Sequence, residues 1–501
     1  LSSMKDYLIL STSFLPRVFL SSLQQVQFFD WSPVGHKLAY VWNNDVYVKT
    51  SPELDSERVT DSGKVNEIFN GIPDWSYEEE MFSSARGLWW SPGGKFVAYA
   101  QFNVSQVPHI EYPWFGNGHY PSTVSIPYPK VRQTALLLSR LEHYLATVTW
   151  ATDDRIAVQW LKRVQNTLIL QIYSLTGTGW GHSEFAPSEP VFSADKNSYY
   201  LVMSDKQKYK HLHHVKGVSR TQANTSANND LVSTDLFPSA RQWKFLMKCF
   251  HFLELSLENN KAFANHISKI QMPKMKRGTI RIDGFDLWYK MVLPPDFSES
   301  KKYPLLIDVY AGPCSQRVDY TYSLSWATYL ASTEKIIVAT FDGRGSGYQG
   351  DEIMHKLYKR LGTDEVEDQI TATKEFIRWG FIDKDRVAIW GWSYGGYVTS
   401  MFYYIYLFPF SDSIYTERYM NPPSLNQEAY DVNITMKHIH YGEPAQNNVH
   451  FQQSAEISEA LVQEEVDFEA MWYTDKDHNI GGLANMHLYN HLSHFLLRCF
   501  A

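Results

Sequence analysis

Cysteine, positive charge and long apolar runs are all in short supply. Only three cysteines occur in 501 residues, Cys249, Cys314 and Cys499. They cannot build a dense disulfide framework, and an odd count leaves at least one unpaired within the chain. No Cys-x-x-Cys pair or Cys/His spacing marks a metal site. Lysine and arginine total 46 against 54 acidic residues, for a formal net charge of -8. Without a basic tail or stripe, the chain does not read as a nucleic-acid binder. Tyr7–Leu23 is apolar in places, but Pro16 and Arg17 interrupt it. It is too short and broken to span a bilayer and lacks the layout of a cleavable signal peptide. The expectation is a soluble chain, or one that has lost an N-terminal segment.

What is present is the composition of a large folded protein. Hydrophobic residues make up 44%, charged residues 20% and aromatics 15%, with 32 Tyr and 16 Trp. The length calls for two or more domains, and the aromatic content favours strands. Three sequons, at Asn103, Asn224 and Asn433, permit an extracytoplasmic location without establishing it.

The first half repeats itself. Trp31-Ser32-Pro33-Val34-Gly35, Trp90-Ser91-Pro92-Gly93-Gly94 and Trp150-Ala151-Thr152-Asp153-Asp154 each precede strand-like sequence, at spacings of 59 and 60 residues. Phe192-Ser193-Ala194-Asp195 before Ser198–Met203 offers a fourth copy. Recurring units of several short strands predict a β-propeller, favoured over a β-sandwich with coincidental turns because the spacing is regular and helical periodicity is missing. There is room for four or five blades, either a small closed ring or a truncated larger one.

From Lys302 the pattern changes. Tyr303–Tyr310, Lys335–Phe341 and Arg386–Trp390 read as buried strands, and Asp467–Tyr473 as another. Thr363–Trp379, Phe451–Val466 and His487–Phe500 read as helices. Alternation of this kind predicts a parallel sheet covered on both faces, an α/β domain. The expected organisation is an irregular segment over 1–24, a β-propeller-like domain over 25–270 and an α/β-hydrolase domain over 271–501.

The chemistry concentrates in Gly391-Trp392-Ser393-Tyr394-Gly395-Gly396, between a strand and a helix. A sharp strand-to-helix turn needs small residues around the nucleophile; it lifts the Ser393 hydroxyl above the sheet and aims the Tyr394 N–H at a forming oxyanion. The chain order Ser, acid, His selects His478, just after the strand predicted over 467–473; His450, His487, His491 and His494 are rivals, the last three in helical sequence. The acid should precede helix 451–466, where Glu443 is the only carboxylate in the loop from Tyr441 to Phe451, and a weak candidate. In the first half, Asp74-Trp75-Ser76-Tyr77-Glu78-Glu79-Glu80 reads either as solvated surface or as a carboxylate pair for a substrate ammonium group.

These motifs, with Asp308–Pro313, Asp342–Gly350, Tyr415–Met420 and Trp472–His478, closely resemble the dipeptidyl peptidase IV and fibroblast activation protein group of the prolyl oligopeptidase superfamily of serine peptidases. The resemblance runs from about Asp30 to the end, weakest around 205–270. It implies a hydrolase that removes X-Pro or X-Ala dipeptides from peptide N-termini. In that scheme Glu79 and Glu80 hold the substrate ammonium, Ser393 attacks, and His478 serves as base and then acid. The Tyr310 hydroxyl and Tyr394 N–H hold the oxyanion. Tyr394, Tyr415 and Val449 line the proline pocket, and Asn448 holds a substrate carbonyl with Arg418 nearby. The family further implies a homodimeric type II membrane glycoprotein at the cell surface, whose anchor is missing here, with no metal or organic cofactor.

The chain also departs from the family. Gln446 stands at the position aligned with the triad acid. Gln cannot balance an imidazolium, and losing the acid in such triads costs roughly ten-thousand-fold in turnover. The interval Met401–Ser411 is short, with Ser411 in place of a family Tyr, and Cys499 lacks the cysteine it pairs with in the family. Early blades and a substrate-gripping arginine are missing. Two readings stay open: a serine dipeptidyl peptidase, and a catalytically impaired pseudoenzyme acting as a binding or accessory protein.

Overall fold

The repeated tryptophans stitch one repeat to the next. In the computed structural model the Trp90 indole donates to the Asp30 carbonyl at 3.1 Å, and Trp150 donates to the Trp89 carbonyl at 3.0 Å. Each anchor reaches back to the backbone just before or beside the previous anchor. Two further bonds repeat the pattern: Lys37 Nζ to the Gly94 carbonyl, and the Gly93 N–H to Asp153. Trp31, with no described repeat before it, is 47% exposed.

The structure describes residues 26–51, 53–130, 143–174, 177–183, 189–194, 196–204, 208–216, 234–236, 260–402, 412–432, 452–463, 465–476 and 478–501. Within them the first half forms four successive antiparallel units. The first is a four-stranded sheet, Val26–Trp31, Leu38–Trp42, Asp45–Lys49 and Glu57–Arg58. The second is split in two: Ile68–Asn70 pairs with Gln101–Asn103, and Leu88–Trp90 with Val97–Tyr99. Four-stranded sheets follow over 143–183 and 191–236. Along His143–Thr152 buried and less buried residues alternate, as strands packed on one face require. A hairpin, His109–Trp114 with Ser122–Pro127, pairs only with itself. These are blades of an incomplete β-propeller.

The second half is built on one five-stranded sheet. Its strands are β1 (Lys274–Ile282), β2 (Phe285–Leu293), β3 (Tyr303–Val309), β4 (Ile337–Phe341) and β5 (Ile382–Gly391), in the order β1-β2-β4-β3-β5. The β4-β3-β5 core is parallel, whereas β1-β2 is a hairpin joined antiparallel to β4, so the sheet is mixed rather than purely parallel. Every residue of β4 is buried, as a strand covered on both faces demands. Six helices matter below: α1 (Trp326–Ser332), α2 (Asp364–Arg378), α3 (Tyr394–Phe402), α4 (Ser413–Met420), α5 (Gln452–Gln463) and α6 (Leu483–Phe500). Val366, Ala372 and Phe376 turn one face of α2 into the core, while α1 and α6 pack with Val292, Leu306 and Val338. The stretch 467–473 is not a strand. Its alternation is strand-like, but among the described residues no strand pairs beyond β5 to receive it.

The two halves meet along α4. Ile414 is buried among Tyr144, Leu161 and Leu168 of the third blade, and the Ser413 N–H donates to the Pro129 carbonyl. Arg163 grips Glu417 with two bonds of 2.7 Å, and Glu417 is fully buried. Removing one partner of such a pair strands a buried charge. Arg163→Met is therefore expected to destabilise the protein by about 3–5 kcal/mol, read as a lower urea midpoint.

Candidate active site

The register of the sheet brings two loops together. Val309 pairs with Gly391, so the chain after β3 (Tyr310) and after β5 (Trp392-Ser393) emerges side by side at the carboxyl edge. Crevices at that edge are where open α/β sheets bind ligands. Ser393 has φ 57, the left-handed region that non-glycine residues rarely occupy, and strain of this kind gathers at functional turns. A Cβ at Gly391 would overlap the Gly395 carbonyl, and a Cβ at Gly395 would overlap the Val309 carbonyl. The glycines are therefore steric requirements of the bend. Bonds from the Gly396 and Tyr397 N–H groups to the Ser393 carbonyl start α3 immediately after it. Tyr394 is the first residue of α3, where a backbone N–H has no intrahelical acceptor.

Tyr394 is held from below. Its hydroxyl donates to Glu365 at 2.7 Å, and the same carboxylate accepts from the Gly362 and Thr363 N–H groups. Glu365 is completely buried, and burial pushes its carboxyl above the usual range. Tyr310 sits beside Tyr394, with ring centroids 6.4 Å apart. Burial, and next the Glu80 carboxylate, raise the Tyr310 phenol, keeping it a donor at neutral pH.

His478 lies in the loop between residue 473 and α6. Two residues on, Ile480 is buried with Leu488 and Leu492, and Trp392, Tyr473 and Trp390 pack against this cluster. The histidine loop and the Ser393 bend thus share one apolar support. The rivals His487, His491 and His494 lie on α6, and His487 bonds the Tyr473 hydroxyl at 3.0 Å.

The second side of the site comes from the propeller. An insertion in its second blade carries a short helical turn capped by Asp74, which accepts from the Tyr77 N–H at 2.8 Å. A wider turn, Glu78–Phe82, follows and presents Glu79 and Glu80. The Glu80 side chain is only 10% exposed, which rules out a solvated charge there. Arg418 approaches Glu80 Oε2 at 3.8 Å and donates to the Glu80 carbonyl at 2.9 Å. It also donates to Gln165, which in turn donates to the Ile414 carbonyl. Tyr415, Arg418 and Tyr419 occupy one face of α4 by their i, i+3, i+4 spacing, and the Tyr415 and Tyr419 rings lie 5.0 Å apart. Burial drives the Tyr415 hydroxyl well above its ordinary range. It also lifts Glu80 to about 8, helped by Asp412 and opposed by Arg418, and lifts Asp74 to about 6.

Ring contacts and electrostatic coupling place Tyr310, Tyr394, Tyr415, Glu80 and Arg418 near one another where the two halves meet, with Ser393 next to Tyr394 in the chain and Glu79 on the same turn as Glu80. Glu443, Gln446, Asn448 and Val449, the rival His450, and the sequons at Asn224 and Asn433 lie outside the described residues, as does Cys249. Asn103 is exposed and accepts from the Ser105 hydroxyl. Cys314 and Cys499 are free thiols, and Cys499 is exposed. Sequence reasoning missed Gln165, Glu365 and Asp412. Among the described residues, no group of His, Cys, Asp or Glu is arranged to hold a metal ion, and no helix is long and apolar enough to cross a membrane.

Comparison with known proteins agrees with this architecture. A family described as dipeptidyl peptidase IV (DPP IV) N-terminal region matches residues 12–141 and 134–237, and the prolyl oligopeptidase family matches 322–405. Dipeptidyl peptidase 4 from Sus scrofa is 42% identical, covering 95% of this chain and 80% of its own. That alignment spans 615 positions, more than the 501 residues here, so the relative has segments without a counterpart. Prolyl endopeptidase FAP from Bos taurus is 38% identical with the same coverage, and inactive dipeptidyl peptidase 10 from Mus musculus is 28% identical over 95% of this chain and 75% of its own. The crystal structure of Porphyromonas gingivalis dipeptidyl peptidase 4 shares the fold, with a TM-score of 0.77 at 24% identity over 94% of this chain and 82% of that one. This chain belongs to the prolyl oligopeptidase family, in the group that joins a dipeptidyl peptidase IV N-terminal region to a serine-peptidase domain.

Proposed function

We propose that this chain is a serine exopeptidase that releases X-Pro or X-Ala dipeptides from peptide N-termini. The observation that carries this reading is the pairing of a strained Ser393 bend on one domain with the largely buried Glu80–Arg418 pair at the joint with the other. A nucleophile alone would suit many hydrolases; a buried carboxylate contributed by the other domain, close enough to act on the Tyr310 phenol, suits an enzyme that counts residues from a charged terminus.

In this scheme Ser393 Oγ attacks the carbonyl after the second residue while its proton passes to His478. The Tyr394 N–H and Tyr310 hydroxyl receive the oxyanion. His478 returns the proton to the leaving amine, and water then splits the acyl-enzyme with the same histidine as base. Glu79 and Glu80 hold the ammonium, Tyr394, Tyr415 and Val449 enclose the proline ring, and Asn448 with Arg418 holds the intervening carbonyl. The boundaries 25–270 and 271–501, glycosylation at Asn103, Asn224 and Asn433, homodimerisation and a cell-surface location belong to the same reading. A second reading, a pseudoenzyme with a binding role, is favoured by Gln446 at the acid's position.

A chromogenic Gly-Pro substrate separates the two. The peptidase reading expects turnover that Ser393→Ala reduces to the uncatalysed background. A folded wild-type chain with no turnover supports the pseudoenzyme.

A further inference from the structure

The Asp475 carboxylate ties the histidine loop to the opposite domain. Asp475, three residues before His478, sits in a turn with φ 55. Its Oδ1 accepts from the Phe115 N–H and its Oδ2 from the Gly116 N–H, both at 2.7 Å. Phe115 and Gly116 begin the tip of the hairpin His109–Trp114/Ser122–Pro127, about 360 residues away in sequence. Two successive N–H groups converging on one carboxylate form a small anion-binding concavity. Gly116 has φ 55, a conformation that favours glycine.

We propose that the hairpin tip and Asp475 form a clamp that positions the His478 loop over the Ser393 bend. The inference rests on the peptidase reading above. Among the described residues from Tyr473 to Ile480, none lies in a strand or a helix. It is attached to its own domain by Tyr473 at one end and Ile480 at the other. Asp475 adds an attachment between them, from outside the domain. With both oxygens engaged by the hairpin, Asp475 is not a substitute for the triad acid. It is a positioning residue, acting on proton transfer through the placement of the imidazole.

The test uses the full chain with Asp475→Ala, Asp475→Asn and Gly116→Pro, which removes one donor. Hydrogen exchange of the segments 109–122 and 470–482 reports the clamp. A fluorophosphonate probe reports the base: an oxygen–phosphorus bond forms at Ser393, fluoride leaves and the hydroxyl proton passes to His478. In Asp475→Ala both segments exchange faster, and labelling and kcat both fall about ten-fold while KM for a Gly-Pro substrate is unchanged. Asp475→Asn, keeping one acceptor oxygen, falls between, and Gly116→Pro matches the alanine variant. Unchanged exchange over 470–482 overturns the clamp. Faster exchange with wild-type labelling and kcat overturns the positioning role. A wild-type chain whose Ser393 resists the probe sinks the peptidase reading and the positioning role with it, while exchange still reports whether the segments are joined.

Discussion

Gly395→Ala is expected to leave less than about one thousandth of wild-type turnover in a protein that still folds. The added methyl would occupy the space of the Val309 carbonyl oxygen and lie 3.1 Å from Tyr310 Cα. Neither neighbour is free to retreat. Val309 ends β3, paired with Gly391 on β5, and Tyr310 is packed against Tyr394. The bend must move instead, carrying the Ser393 hydroxyl and the Tyr394 N–H away from the Tyr310 hydroxyl. A displacement of about 1 Å at a reacting centre can cost a hundred-fold, and loss of one oxyanion donor a further hundred- to thousand-fold. Gly481→Ala is the control. Its methyl would meet only the Asn479 carbonyl at 3.6 Å, an ordinary contact, and activity should persist. Circular dichroism and kcat for both variants decide the matter. An active Gly395→Ala protein would mean the bend is not the seat of the chemistry.

The same steric logic explains what can be read from sequence. The glycines around Ser393 are legible because the bend forbids side chains there. The tryptophan spacing is legible because each indole bonds the backbone of the preceding repeat, which makes the spacing the blade period. Side chains whose role arises from tertiary placement leave no such trace. Gln165 is an ordinary turn residue until α4 arrives to take its two bonds. Asp412 looks like a simple helix cap, accepting from the Ile414 N–H, yet it also raises Glu80 and Asp74. Glu365 gave one faint signal, an acid on the inward face of an amphipathic helix. Strand-like alternation over 467–473 misled for a related reason, since a strand exists only where a neighbour pairs with it.

Replacing both Glu79 and Glu80 by glutamine is expected to lower kcat/KM for a Gly-Pro substrate by roughly a hundred- to ten-thousand-fold, consistent with losing two charged hydrogen bonds of about 1.5–3 kcal/mol each. An N-acetylated substrate, which has no ammonium group, should be cleaved no worse than before. The pH dependence carries the sign. Burial raises the Glu80 carboxyl to about 8, so in the free enzyme it is largely neutral at pH 7. Holding an ammonium requires the anion. Binding should therefore tighten as pH rises towards 8, then weaken as the substrate amine, which titrates near about 8, loses its own charge. Glu80→Gln removes the rise on the acid side. Stability moves the other way. The folded state holds the Glu80 proton through a range where the unfolded chain releases it, so wild-type stability falls as pH climbs from the ordinary value of 4.5 towards 8. A neutral glutamine escapes that loss. The variant should thus be the poorer enzyme and, in alkaline buffer, the more stable fold. Dipeptide release at the wild-type rate would reduce the acidic turn to a structural feature of the domain joint.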